Sequence, residues 1–399
     1  MANSCLSSLL FFCYLLYYSA SVHGARHQIH VEKKIGEYGE GIHLPLKSGP
    51  NGNFLVTVGF GTPAHDFTLL FDTGSDLTWI NCQPCGDTGT GTDCNNQAFF
   101  DPSSSSTLSN NLICTPDCNS TKSYNDGSSF TGYFVKDTIT IISLQIPNFF
   151  FACAEKITGD FEGASGLLGV GRGKDSLLAQ TDINLLSTFC YCLPISETSS
   201  GYIVFGIQAF ETCQPDTTKF IPIEPAPDLI GLTNYYVSVT GITIGGKRLE
   251  MASYAPSNSS SVRAIMDSGT IISRLPPSLY SALRSAFQEI MSGYPRASPS
   301  EPDLFDTCYN LENVNDWRPP NIVFHFGGSD KPVDVDLDSS AAMISISEKS
   351  ESEVCLAFAG NENDDDLFII GNQQQRARDL FFDINKRMFY FSSGGCLNI

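Results

Sequence analysis

An apolar run that ends in aspartate, hydroxyl residue, glycine, hydroxyl residue occurs twice in this chain, and no other feature restricts its fold as much. Phe67-Thr68-Leu69-Leu70-Phe71 leads into Asp72-Thr73-Gly74-Ser75, and Val262-Arg263-Ala264-Ile265-Met266 leads into Asp267-Ser268-Gly269-Thr270. Each copy is followed, at nearly the same separation, by two bulky aliphatics and a glycine, Leu167-Leu168-Gly169 and Ile369-Ile370-Gly371. A single Asp-(Ser/Thr)-Gly is a common turn, with Asp and Gly chosen for local bonds and positive φ. Two copies with matched surroundings indicate two halves that share one pattern.

The texture around the repeat is β. Phe54 to Phe60, Phe67 to Phe71, Tyr133 to Ile142 and Tyr235 to Ile244 are rich in β-branched and aromatic residues, with Gly and Pro between them. Gly245-Gly246 reads as a hairpin turn. The clearest helix follows Pro276-Pro277, with Leu279, Leu283, Phe287 and Ile290 on one stripe, and a shorter one begins near Asp175 and carries Leu177 and Leu178. The expected fold class is therefore all-β, two-lobed, with a few short helices. The proline-dense stretch Ile221 to Pro227 is the candidate linker, giving an N-terminal lobe over 53–227 with Asp72 and a C-terminal lobe over 228–399 with Asp267.

Charge and cysteine content narrow the function classes. Lys plus Arg number 23 against 43 Asp plus Glu, a formal charge of −20, which repels a phosphate backbone; a nucleic-acid partner is not expected. Fourteen cysteines point to an oxidising compartment. Leu6 to Ala20 is apolar and short, with small residues Ser19, Ala20, Ser21 and Gly24 after it; residues 1–24 read as a secretory signal peptide, leaving no membrane attachment after its removal. The sequons at Asn119 and Asn258 lie in polar, Ser-rich surroundings and suit glycosylated surface loops. Residues 25–52 carry Arg26, Lys33, Lys34, Lys47 and three histidines. This short basic strip is either a pro-segment that pairs with acidic groups and lets go in acid, or a plain N-terminal arm. Extracellular (apoplastic) and vacuolar destinations both fit.

With these residues in view, the chain resembles the pepsin-like aspartic proteases, and more closely their atypical plant branch, which includes nepenthesin-like and nucellin-like proteins. The resemblance runs from about Asn53 to Cys396. It is carried by the two aspartate motifs, Gly61-Thr62-Pro63, Trp79, Tyr124-Asn125-Asp126-Gly127-Ser128, the run Gly166 to Gly173, Tyr191-Cys192-Leu193 and Gly371-Asn372-Gln373-Gln374-Gln375. It implies two β-barrel lobes related by a pseudo-twofold axis, with Asp72 and Asp267 meeting at the cleft floor as catalytic residues. Two neighbouring carboxylates do not both ionise readily, so the pair holds one shared proton and titrates as a unit. A water between them is activated by the ionised member, and the protonated member stabilises the tetrahedral gem-diol.

By the same resemblance, Gly74 and Gly269 donate N–H bonds behind the carboxylates, and Ser75 and Thr270 bond their outer oxygens. Tyr124 is the flap tyrosine, with Asn125 and Asp126 beside it, and Trp79 is its partner. The segment before the flap is shorter than in the plant branch, and Asn125 stands where a glycine is usual; asparagine tolerates left-handed φ. The resemblance pairs Cys82 with Cys85, Cys153 with Cys396 and Cys308 with Cys355, and leaves Cys94, Cys114, Cys118, Cys190, Cys192 and Cys213 open. A zinc or redox reading of Cys82-Gln83-Pro84-Cys85 lacks a second Cys/His pair at ligand spacing. No metal or cofactor is expected. The expected partners are protein or peptide substrates met by a monomer. The rival reading is a catalytically weak or inactive binding or inhibitor protein on the same fold.

Overall fold

The structure is a computed structural model. It describes residues 42–396 apart from 50–51, 84–97, 110–119, 160, 162, 182–185, 197, 228–229, 256–258, 301, 303, 315–316, 328–330, 338 and 346–352. The expected signal peptide, the basic strip up to residue 41, Asn119, Asn258, Cys85, Cys94, Cys114 and Cys118 therefore lie outside the described residues.

The described strands assemble into three sheets of thirteen, eight and four strands. Strand residues alternate between core and surface where one face is covered: in Ile42–Ser48, Ile42, Leu44 and Leu46 are buried while His43 and Pro45 are exposed. Phe54–Phe60 pairs antiparallel with His65–Asp72, and that hairpin packs Phe60 and Phe67 against Phe100 and Phe151 in a cluster of edge-on and tilted rings. Tyr236–Ile244 turns back through Gly245 and Gly246, whose φ angles of 53° and 86° suit the tight hairpin. The helix after Pro276 spans Pro277–Ile290 and buries Leu279, Leu283 and Phe287. Ser176 caps the short helix Leu177–Gln180, accepting from the Ala179 N–H.

The repeated aliphatic pairs have a structural meaning. Gly166–Gly169 runs parallel to the Asp72 strand, setting Leu70 beside Leu167, Phe71 beside Leu168 and Asp72 beside Gly169. In the second half Phe368–Ile370 runs parallel to Val262–Met266, with Ile265 beside Ile369 and Met266 beside Ile370. Each aspartate thus leaves the end of a strand that is flanked by a buried parallel partner, a rigid platform on both sides.

The proline-dense stretch is stitched into the body: Ile221 pairs with Phe389, Ile223 donates to the Arg387 carbonyl at 2.9 Å, and Glu224 donates to the Tyr236 carbonyl at 2.8 Å. Furthermore, Asp379–Asp383 and Met388–Phe391, from the end of the chain, hydrogen-bond into the thirteen-stranded sheet beside Thr188–Cys192 and Ile221–Pro222.

The cysteine pairing is a correction. Cys82 bonds Cys153, not Cys85, because Trp79–Asn81 runs parallel to Leu144–Thr158 with Ile80 beside Cys153, leaving the two cysteine Cα atoms 5.2 Å apart. Cys153 is therefore unavailable to Cys396, which bonds Cys192. Cys190 and Cys192, two apart on one strand, point to the same face, and Cys190 meets Cys213 at the end of the helix Ile207–Cys213. Cys308 and Cys355, directly opposite on antiparallel strands, are joined.

Candidate active site

Asp72, which is buried, and Asp267, which is half-buried, each lie against the other's turn. Each carboxylate is held from behind by its own turn. The Gly74 N–H donates to Asp72 Oδ1 at 2.7 Å, and the Ser75 hydroxyl donates to Oδ2. The Gly269 N–H donates to Asp267 Oδ1 at 2.8 Å, and the Thr270 hydroxyl to Oδ2 at 2.8 Å. Each carboxyl also lies against the glycine of the other turn. The glycines are required by the other half's acid: a Cβ on Gly74 would stand 2.5 Å from Asp267 Oδ1, and one on Gly269 would stand 2.5 Å from Asp72 Oδ1.

The middle residues of the two motifs lock the loops together, a role the sequence reading did not assign. The Thr73 N–H donates to Ser268 Oγ at 3.0 Å, and the Ser268 N–H donates to Thr73 Oγ1 at 2.9 Å. Each hydroxyl then donates across to the other strand, Thr73 to the Met266 carbonyl at 3.1 Å and Ser268 to the Phe71 carbonyl at 3.0 Å. Both residues are fully buried. Four reciprocal bonds in a water-excluded place fix the separation of the aspartates. The signal was present in the sequence as a hydroxyl residue at the matched second position of both motifs.

Both carboxyls are pushed above the usual carboxylate range. For Asp72 the largest cause is burial, followed by the Asp267 charge, against which the Ser75 and Gly74 bonds act. Burial also raises Asp267, and the Thr270 and Gly269 bonds offset it. The arrangement favours one proton retained between them.

Above Asp72 stands the hairpin Ser120–Ser123 paired with Ser129–Ile141. Trp79, fully buried, donates its indole N–H to the Tyr124 hydroxyl at 2.7 Å, and its ring stacks on Phe130 and meets Phe161 edge-on. Burial and the Asp72 charge hold the Tyr124 phenol well above its ordinary value, so it stays protonated. Asp126 shapes the turn, its Oδ1 accepting from the Ser128 N–H at 2.9 Å and hydroxyl at 2.6 Å. Asn125 does not use a left-handed conformation; Gly127 supplies the positive φ, at 84°.

The polar run Asn372 to Gln375 braces the second half. Asn372 donates to the Ser268 carbonyl at 3.1 Å, Gln374 accepts from the Ser273 hydroxyl at 2.6 Å, and Gln375 donates to the Asp267 carbonyl at 3.2 Å and the Ile370 carbonyl at 2.8 Å. Among the described residues the one side-chain group with metal-ligand spacing is Cys308, Glu353 and Cys355, whose two sulfurs are joined in a disulfide.

A mostly β body with two aspartate loops, locked by reciprocal hydroxyl bonds, has the fold and site plan of the pepsin-like aspartic proteases. The xylanase inhibitor N-terminal family pattern matches residues 54–207 and the xylanase inhibitor C-terminal pattern matches residues 234–393. Aspartyl protease AED1 of Arabidopsis thaliana is 39% identical over 371 residues, spanning 88% of this chain and 75% of that protein. Aspartic proteinase nepenthesin-1 of Nepenthes gracilis is 31% identical, spanning 89% and 80%. The crystal structure of basic 7S globulin from soybean shares the fold, with a TM-score of 0.68 at 18% identity over 89% of this chain and 97% of that one. The chain belongs to the plant pepsin-like aspartyl protease family.

Proposed function

We propose that the protein is an aspartic endopeptidase that hydrolyses peptide bonds at acidic pH with a water held between Asp72 and Asp267. The observation that carries this reading is two carboxyls, each lying against the other's turn and each backed by a glycine N–H and a hydroxyl donor, with both raised above the usual range. In this scheme the ionised carboxylate removes a proton from water as the oxygen attacks the scissile carbonyl carbon. The protonated carboxyl gives its proton to the carbonyl oxygen, forming a gem-diol. Collapse of the gem-diol passes a proton to the amide nitrogen as the C–N bond breaks, and the pair returns to its singly protonated state. No covalent enzyme intermediate is formed.

Tyr124 closes over the substrate in this reading, with Trp79 fixing its hydroxyl. The lobe boundary near residue 227, a secreted or vacuolar destination reached through the N-terminal signal, and the reading of residues 25–52 as a pro-segment or an arm, of which Ile42–Ser48 is paired into the thirteen-stranded sheet, belong to the same proposal. The supporting facts are the cysteine pairs and the absence, among the described residues, of a helix long and apolar enough to cross a membrane.

A second reading, a binding or inhibitor protein on this fold, draws on the matching family patterns, which are named for xylanase inhibitors. The intact pair of aspartates favours hydrolysis. Cleavage of a denatured protein mixture from about pH 3 to about pH 7, with and without a statine-type transition-state mimic, separates the two. The proposal expects acid-dependent cleavage that the mimic blocks; no cleavage at any pH would favour the binding protein.

A further inference from the structure

We infer that Tyr191 is a positioning residue for the aspartate pair, a strut that reaches both aspartate loops from the central sheet; the inference rests on the protease reading above. Tyr191 lies in Thr188–Cys192, which is flanked by Ser200–Phe205 on one side and Asp379–Asp383 on the other. Successive residues of this strand face opposite ways. Cys190 and Cys192 face the helix Ile207–Cys213 and the chain end, where both are tied by disulfides. Tyr191 and Phe189 take the other face, their rings 6.4 Å apart and nearly parallel.

From there Tyr191 touches each half of the site differently. Its ring meets Phe71, the residue before Asp72, edge-on at 5.2 Å. Its hydroxyl donates to Gln375 Oε1 at 2.6 Å. The amide nitrogen of the same Gln375 donates to the Asp267 and Ile370 carbonyls. Tyr191 and Gln375 are both fully buried, so the phenol decides which way the amide is turned: reversed, the amide would set its oxygen against two carbonyl oxygens. Burial holds the Tyr191 phenol well above its ordinary value, with the charge on Asp267 contributing, so it remains a donor throughout the working pH range. The strand that carries it cannot slide, because its reverse face is fixed by two disulfides to the helix and to the chain terminus.

The consequence is kinetic. Removing the hydroxyl frees the Gln375 amide, loosens the Asp267 loop, and lets the carboxyls move apart; with less mutual repulsion the shared proton is held less tightly. Tyr191→Phe should lower kcat about tenfold to a hundredfold, the scale of a small misplacement of catalytic groups, with KM unchanged within about twofold. The alkaline limb of the kcat/KM profile should move to lower pH. Gln375→Leu should do the same, and the double variant should fall no further than Gln375→Leu alone. Tyr309→Phe, at another fully buried tyrosine whose hydroxyl has no partner among the described residues, is the control and should leave the limb in place.

A Tyr191→Phe protein that loses thermal stability but keeps the wild-type kcat and limb would overturn the inference. So would additive losses in the double variant. If neither variant folds while Tyr309→Phe does, the bond is an element of folding only, and the inference fails. Wild-type protein inactive at every pH would instead sink the protease reading, a result visible before any variant is made.

Discussion

Behind Asp72 and behind Asp267 the backbone follows one plan: a strand flanked by a parallel partner, a turn whose glycine N–H and hydroxyl side chain hold the carboxylate, and a second-position hydroxyl that bonds across to the other half. Past the shared aliphatic-aliphatic-glycine the halves part. The first continues as Val170-Gly171-Arg172-Gly173, a loop wrapped closely on Asp76, whose carboxylate accepts from the Gly173 N–H at 2.8 Å and the Thr233 hydroxyl at 2.6 Å. The second continues as Asn372-Gln373-Gln374-Gln375, buried amides that brace the Asp267 loop through its backbone carbonyls. The aromatic hairpin with Tyr124 and Trp79 belongs to the Asp72 half. Symmetry therefore sets the distance between the acids, both of which burial raises, while the surroundings that support them differ between the halves.

The comparison is broken most severely by removing one acid. Asp267→Asn or Asp72→Asn should each reduce peptide hydrolysis at least about a thousandfold, since either leaves the pair without its base or its acid, while the circular dichroism spectrum is retained. A variant that still cleaved would refute equal dependence on both halves. The reciprocal lock is the next largest effect. Thr73→Val leaves the Ser268 N–H, and Ser268→Ala leaves the Thr73 N–H, buried without an acceptor, at a cost of about 1–3 kcal/mol each. Denaturant unfolding should show similar losses for the two, and the double variant should cost less than their sum.

Tyr124→Phe removes the acceptor of the Trp79 indole on one side only. It should lower kcat about tenfold, within the range of a lost hydrogen bond to a neutral group, and lower stability by about 1–3 kcal/mol because the buried indole N–H loses its acceptor. The pH dependence of stability follows from burial of the acids. Asp72 and Asp267 are raised, and Asp379, half-buried beside the Tyr202 hydroxyl, is pushed up to about 6 from 3.8, chiefly by desolvation. A carboxyl whose folded value is raised binds more protons folded than unfolded, so its favourable contribution is complete below the unfolded value and is lost as pH rises through the folded one. Melting temperature should fall between about pH 4 and pH 7, and Asp379→Asn should flatten part of that slope. Asn125→Gly, at a flap position without a left-handed φ, should alter kcat/KM by less than about twofold.

Much of this was legible in the sequence because it is local or duplicated. The strands before both aspartates, the Gly245-Gly246 hairpin and the Pro277–Ile290 helix follow from short-range pattern, whereas Leu167-Leu168 and Ile369-Ile370 were visible only as a repeat and their parallel pairing is a matter of the fold. The contacts within each aspartate turn were expected from the family resemblance, and the bonds are present. The disulfides were harder, because pairing depends on which strands become neighbours. Cys82 lies close to Cys85 in the chain, but its strand runs beside Cys153. The Thr73–Ser268 lock, the Tyr191–Gln375 bond and the weaving of Asp379–Asp383 into the large sheet join residues that only the folded topology brings together.

The most direct test of the shared-proton pair is neutron diffraction from crystals grown near pH 5, where one proton should be retained between the carboxyls. The expected map shows a single deuteron across Asp72 and Asp267, with a solvent molecule bonded to both. A map with no deuteron on either carboxyl, one on each, or the two groups turned away from a common solvent site would contradict the account.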